Sequence, residues 1–259
     1  MHGCATLPRP GCSGKYARVA RPSPGSGTPP EGGVNYPRFH GNGRGKGKDK
    51  GSRMRFGTWN IGSLTGRSVE IVEVMRRRRI NILCSQETKR VGNKAREIAP
   101  WGYKLWYSGK TRGRNGVGIL IDREYIDDVV DVSRKSDRIM SIKLVIGDEV
   151  VTIVSVYAPQ AGLDASTRQE FWEDLEEVVQ RVPRSEKLII GGDLNGHVGS
   201  SRDGFESIHG GFGYGERNEA GNAILDFALA YDLGIMNTWF EKRDFHLVTY
   251  RSGDNTSLD

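Results

Sequence analysis

Cysteine is scarce and long apolar runs are missing. Three cysteines among 259 residues are too few for a disulfide framework. Two of them, Cys4 and Cys12, lie near the N-terminus, and Cys84 sits inside the apolar run Ile82-Leu83-Cys84, where a buried reduced thiol is expected. No stretch reaches the roughly 18–20 apolar residues that span a bilayer, and the N-terminus lacks the apolar core of a secretory signal. These shortages point to a reducing compartment, nuclear or cytoplasmic, and to no membrane partner. Apolar residues make up only 36% of the chain, which suggests that part of it does not fold.

Acidic residues are short at one end only. Residues 1–55 hold 11 Lys/Arg against 2 Asp/Glu, whereas residues 56–259 hold 27 against 30. The basic excess therefore belongs to the N-terminal stretch, and it says nothing of a basic face on the rest. Residues 1–52, rich in Gly, Pro, Arg and Lys and without hydrophobic period, are expected to form a disordered tail. Within it, Gly43 to Lys50 could contact phosphate or act as a nuclear address, although composition favours a solvated linker.

Residues 53–259 are expected to form one folded unit. The pattern predicts strands over Met54–Asn60, Ile80–Gln86, Tyr103–Tyr107, Val117–Asp122, Ile139–Ile146, Val150–Tyr157 and Lys187–Gly192. Two short strands are expected near Ile235–Thr238 and His246–Arg251. Helices are predicted over residues 68–79, from a capping box at Ser166 or Thr167 to Val182, and over Ala220–Tyr231. The Arg76–Arg79 run reads as a solvated helix end, where cations complement the dipole. Hairpins mixed with strand–helix alternation argue an α/β protein with mixed sheets.

Uncharged strands end in polar residues. Thr58-Trp59-Asn60, Gln86-Glu87-Thr88, Val156-Tyr157-Ala158-Pro159 and Gly192-Asp193-Leu194-Asn195 each deliver an amide, acid or phenol at a strand terminus. Gly-Asp-x-Asn alone is a common strand cap. All four together describe a site beside a sheet, and a hard cation with oxygen ligands is its natural occupant.

In order and strand context these motifs resemble the signatures of the endonuclease/exonuclease/phosphatase superfamily, from about residue 54 to 259. Residues 136–144 and 211–221 resemble its retrotransposon-type endonuclease branch and the craniofacial development protein 2-like group. The resemblance implies a four-layer α/β sandwich, two packed mixed β-sheets flanked by helices, and phosphodiester cleavage dependent on Mg²⁺ or Mn²⁺. It assigns Glu87 as metal ligand, helped by Asn60. Asp193 would orient or deprotonate the attacking water, Asn195 would hold the phosphate or the aspartate, and Tyr157 would hydrogen-bond the phosphate or leaving group. Lys89, Arg90, Arg112, Arg114 and Arg138 are candidate phosphate contacts, each of which reads at least as well as a solvated surface charge, and the branch likeness implies DNA as the nucleic-acid partner. Asp259 would match a late family aspartate, with spacing off by one residue.

The family continues with a further strand pair and an Asp-His that no residue here matches by position. On that ground the final strands are expected to be missing and the chain alone to be weakly active at best, or inactive, and marginally stable. The alternative expectation is a catalytically defective nucleic-acid or protein binding module derived from a retrotransposon endonuclease.

Overall fold

The computed structural model describes residues 17–20, 54–242, 250–252 and 255–257, with backbone alone for 17–20 and for the residues after 242. Two mixed sheets carry the architecture. One runs in the order β11 (Gly234–Ile235), β1 (Ala17–Ala20), β10 (Lys187–Asp193), β9 (Glu149–Tyr157), β8 (Ile139–Ile146), β7 (Val129–Arg134). The other runs β2 (Phe56–Asn60), β3 (Ile82–Gln86), β6 (Val117–Ile121), β5 (Tyr103–Ser108), β4 (Lys94–Ile98). A separate hairpin joins β12 (Tyr250–Ser252) to β13 (Asn255–Ser257).

Side-chain alternation sorts the apolar residues into three cores. Between the sheets, Cys84, Ile119 and Ile121 meet Met140, Ile142, Ile153 and Ile189. The far face of the β2-containing sheet packs Leu83 and Leu120 on Ile71, Val72 and Met75 of α1 (Ser68–Arg78). The far face of the other packs Val154, Val156 and Ile190 on Phe171 and Leu175 of α2 (Ala165–Gln180) and Ile224 and Ala228 of α3 (Glu219–Ala230). Helix, sheet, sheet, helix are the four layers expected.

Local signals mostly act as expected, with four differences. The α2 cap is Asp164, which accepts the Thr167 N–H at 2.7 Å, in place of Ser166 or Thr167. Its carboxylate also accepts from the Ser166 and Thr167 hydroxyls, so those side chains bond to the cap instead of forming it. Strands β4 and β7 went unpredicted because they are edge strands with mostly exposed side chains and no apolar run. The strand predicted near Ile235–Thr238 shortens to two residues and a 3₁₀ turn, Met236–Thr238. Within the stretch expected to lack order, β1 adds antiparallel to β10. Backbone donors and acceptors at a sheet edge recruit a strand whatever its side chains. Of the strand expected at His246–Arg251, residues 246–249 lie outside the described residues. Among the described residues no helix is long and apolar enough to cross a membrane.

Candidate functional site

The site is built by two parallel strand pairs, one from each sheet. β2 runs beside β3 with Asn60 opposite Gln86, and β9 beside β10 with Tyr157 opposite Asp193. Parallel strands finish at the same edge, so the polar termini gather there. The sheets approach closely at this point because residue 191 is glycine, and within one sheet β9 and β10 crowd each other at Gly192. A Cβ at Gly191 would stand 2.9 Å from Cys84 Sγ, and one at Gly192 only 2.4 Å from the Val156 carbonyl oxygen.

Asn60, 2% exposed, is the hub. Its Nδ2 donates to Glu87 Oε1 and to Asp193 Oδ2, both at 2.9 Å, while its Oδ1 accepts the Gly62 N–H at 3.1 Å. The Tyr157 hydroxyl donates to the same Glu87 Oε1 at 3.0 Å. Asp193 Oδ1 accepts the Asn195 N–H at 3.1 Å, and Asn195 Nδ2 donates to the Ala158 carbonyl at 2.8 Å. One amide thus bridges two carboxylates from different sheets. A charge-assisted bond at each end makes that bridge strong.

Backbone strain is concentrated around the carboxylates. Glu87, Lys89 and Asn195 all adopt left-handed φ, between 50° and 53°. Each costs about 1–2 kcal/mol for a residue with a Cβ, and such cost persists where the surroundings over-determine the geometry. Here the turn after β3 is pinned by Thr88 N–H to the Gly116 carbonyl and Lys89 N–H to the Asn115 carbonyl, each at 3.0 Å.

Two cations border the group. Lys89 Nζ lies 3.2 Å from Glu87 Oε2. Arg138 stacks over the Tyr157 ring at 5.2 Å and donates to the Tyr157 carbonyl at 3.1 Å. Burial pushes the Tyr157 phenol up, and the charges and hydrogen bond of Glu87 and the charge of Asp193 push it further, with Arg138 opposing. The phenol is therefore a proton donor across the physiological range. Burial lowers Arg138, partly offset by Asp137, Tyr157 and Glu87.

The structure brings together Asn60, Glu87, Lys89, Arg138, Tyr157, Asp193 and Asn195. Arg112 and Arg114 are exposed on the loop after β5, Arg90 is half-buried below it, and Asp259 lies outside the described residues. His209 is fully buried away from this network, bonded through Nε2 to the Gly199 carbonyl and through Nδ1 to the Gly211 N–H. Sequence reasoning gave no role to Gln86. It is fully buried, accepts from Thr58 Oγ1 and donates to Ser155 Oγ, both at 3.4 Å, tying the sheets together under Glu87. A polar residue on the inward phase of an otherwise apolar strand was the available signal.

Among the described residues no three His, Cys, Asp or Glu side chains gather as a cage. The donor set is the two carboxylates, with Glu87 Oε2 already facing a cation, while the Asn60 amide turns its nitrogen to both and its oxygen to the Gly62 N–H. Such hard anionic oxygen donors suit Mg²⁺, which keeps several waters when bound. The residues present fit that ion.

The model of the Endonuclease/Exonuclease/phosphatase family matches residues 57–249. Craniofacial development protein 2 of Bos taurus is 31% identical over 205 residues, covering 78% of this chain and 34% of that protein. The Tragulus javanicus protein is likewise 31% identical, covering 78% and 35%. The chain thus spans about a third of the length of the curated relatives it matches. Among solved structures, it is similar to the endonuclease domain of TRAS1, a telomere-specific non-LTR retrotransposon, with TM-score 0.49, 15% identity and 76% and 78% of the two chains covered. An AP endonuclease from Archaeoglobus fulgidus gives 0.48, 22%, 68% and 70%.

Proposed function

The chain belongs to the endonuclease/exonuclease/phosphatase family, and from that premise we propose that it hydrolyses phosphodiester bonds of DNA with Mg²⁺ as cofactor. The observation that carries the reading is the Asn60 amide, which holds the Glu87 and Asp193 carboxylates together while the Tyr157 phenol caps Glu87.

Glu87, oriented by the Asn60 amide, would hold the metal, which when bound would neutralise a phosphate oxygen and ease charge build-up on the leaving oxygen. Asp193 supplies the base. Its two oxygens are oriented by Asn60 and by the Asn195 N–H, which fixes the carboxylate to orient or deprotonate the attacking water. Asn195 serves this role by clamping the strand end to Ala158. The protonated Tyr157 hydroxyl is a donor for a phosphate oxygen or the leaving group. Arg138 fixes the ring that carries it.

A polymer with a phosphate backbone suits the rim better than a small phosphate ester does. Lys110, Arg112 and Arg114 are exposed on the loop whose far end, at Asn115 and Gly116, bonds the turn carrying Glu87. Cations outside the reacting centre position a backbone without reading sequence. The preference for DNA follows the retrotransposon-type likeness of the motifs. A panel of supercoiled DNA, single-stranded RNA, inositol polyphosphate and a bis-aryl phosphate tests the substrate class. Turnover of the DNA well above the rest is expected, and turnover confined to inositol polyphosphate would overturn the proposal.

A further inference from the structure

We propose that Lys89 is a tethered cation that competes with the divalent ion for Glu87, holding the carboxylate closed until metal displaces its ammonium. The inference rests on the reading of Glu87 as a metal ligand. Glu87 has two oxygens. Oε1 is engaged by the Asn60 amide and the Tyr157 hydroxyl, at 2.9 and 3.0 Å. Oε2 is the oxygen those bonds leave, and Lys89 Nζ covers it at 3.2 Å. The lysine side chain is 35% exposed and the glutamate 17%, so the ammonium belongs to the more exposed partner of the pair.

The placement is built in. Lys89 is two residues from its partner, both residues are left-handed, and the Lys89 N–H is fixed to the Asn115 carbonyl. The backbone therefore returns the lysine stem over Glu87, while the four-carbon chain above Cα remains free to swing. An ammonium and a divalent cation cannot share one carboxylate oxygen without repulsion at contact distance. Metal binding must move Lys89, and the freed ammonium then stands beside the place where a substrate phosphate would lie. The closed pair also offsets the charge of the partly buried carboxylate when no metal is present.

The test is a Mn²⁺ titration of the full chain followed by the free-ion electron paramagnetic resonance signal, without substrate. Lys89→Met, Lys89→Arg and Glu87→Gln are compared, with circular dichroism confirming the fold of each. A half-exposed ion pair closed in about 80–90% of molecules weakens apparent metal affinity by the open fraction. Lys89→Met should therefore bind Mn²⁺ about five- to tenfold more tightly than wild type, and Lys89→Arg should stay near wild type. Equal or weaker binding by Lys89→Met, with Glu87→Gln abolishing binding, overturns the tether while leaving the metal reading intact. Binding absent from both wild type and Lys89→Met, or indifferent to Glu87→Gln, overturns the metal reading and the tether with it.

Discussion

Asn60 is the residue whose loss should be felt most sharply for its size. Asn60→Ala removes two hydrogen bonds to carboxylates, each at 2.9 Å, and bonds to charged partners contribute about 1.5–3 kcal/mol. Glu87 is 17% exposed and can regain water, so its share lies at the low end. Asp193 is 3% exposed and cannot, so its share lies at the high end. The expected loss is about 4 kcal/mol, a fall of about 2 M in urea midpoint at a slope of about 2 kcal/mol/M. Urea melts in chelator, where metal cannot stand in for the lost donor, measure it. Asn60→Asp separates donor from shape, since it keeps the outline of the side chain and turns the N–H donor into a third oxygen. It should be at least as destabilised. An Asn60→Asp midpoint within about 0.5 M of wild type would refute the bridging argument.

Three further outcomes are expected. Burial holds the His209 imidazole below its ordinary value, and its Nδ1 accepts the Gly211 N–H. The unfolded chain therefore takes up the proton first, so stability is complete above about pH 6.5 and declines as pH falls below it. Urea melts across that window should show the slope in wild type and its loss in His209→Gln. Burial, and then the Asp122 carboxylate, push Tyr103 up to about 12, so stability should be lost as pH rises through the range above about 10, with a flatter profile in Tyr103→Phe. Gly192→Ala places a Cβ 2.4 Å from the Val156 carbonyl oxygen and should cost about 2–3 kcal/mol. Gly162→Ala, which meets nothing within 4 Å, should stay within about 0.5 kcal/mol in the same melts.

What was legible in the chain was what burial dictates on both faces. The runs ending at Asn60, Gln86, Tyr157 and Asp193 are apolar because each strand lies between two layers, and that makes both strand and polar terminus visible. The edge strand Lys94–Ile98 carries exposed side chains at four of five positions. It is held by backbone pairing to β5, which composition does not record. The same backbone pairing holds Ala17–Ala20, whose partners are β10 and β11 backbones 169 and more residues away. Within the site, residue types and order were readable, whereas bonding was not. Asn60 reads as a ligand helper and is placed as the bridge between carboxylates. Lys89 reads as a phosphate contact and is placed on Glu87, because two left-handed residues fold the turn back on itself.

The most direct test of the central claim is nicking of supercoiled plasmid by this chain with Mg²⁺, beside Glu87→Gln and Asp193→Asn confirmed as folded by circular dichroism. The account predicts nicking by wild type that stops in chelator and falls at least about 100-fold in both variants. Nicking that survives both substitutions, or a folded wild-type protein that cuts nothing at any Mg²⁺ concentration, would contradict it.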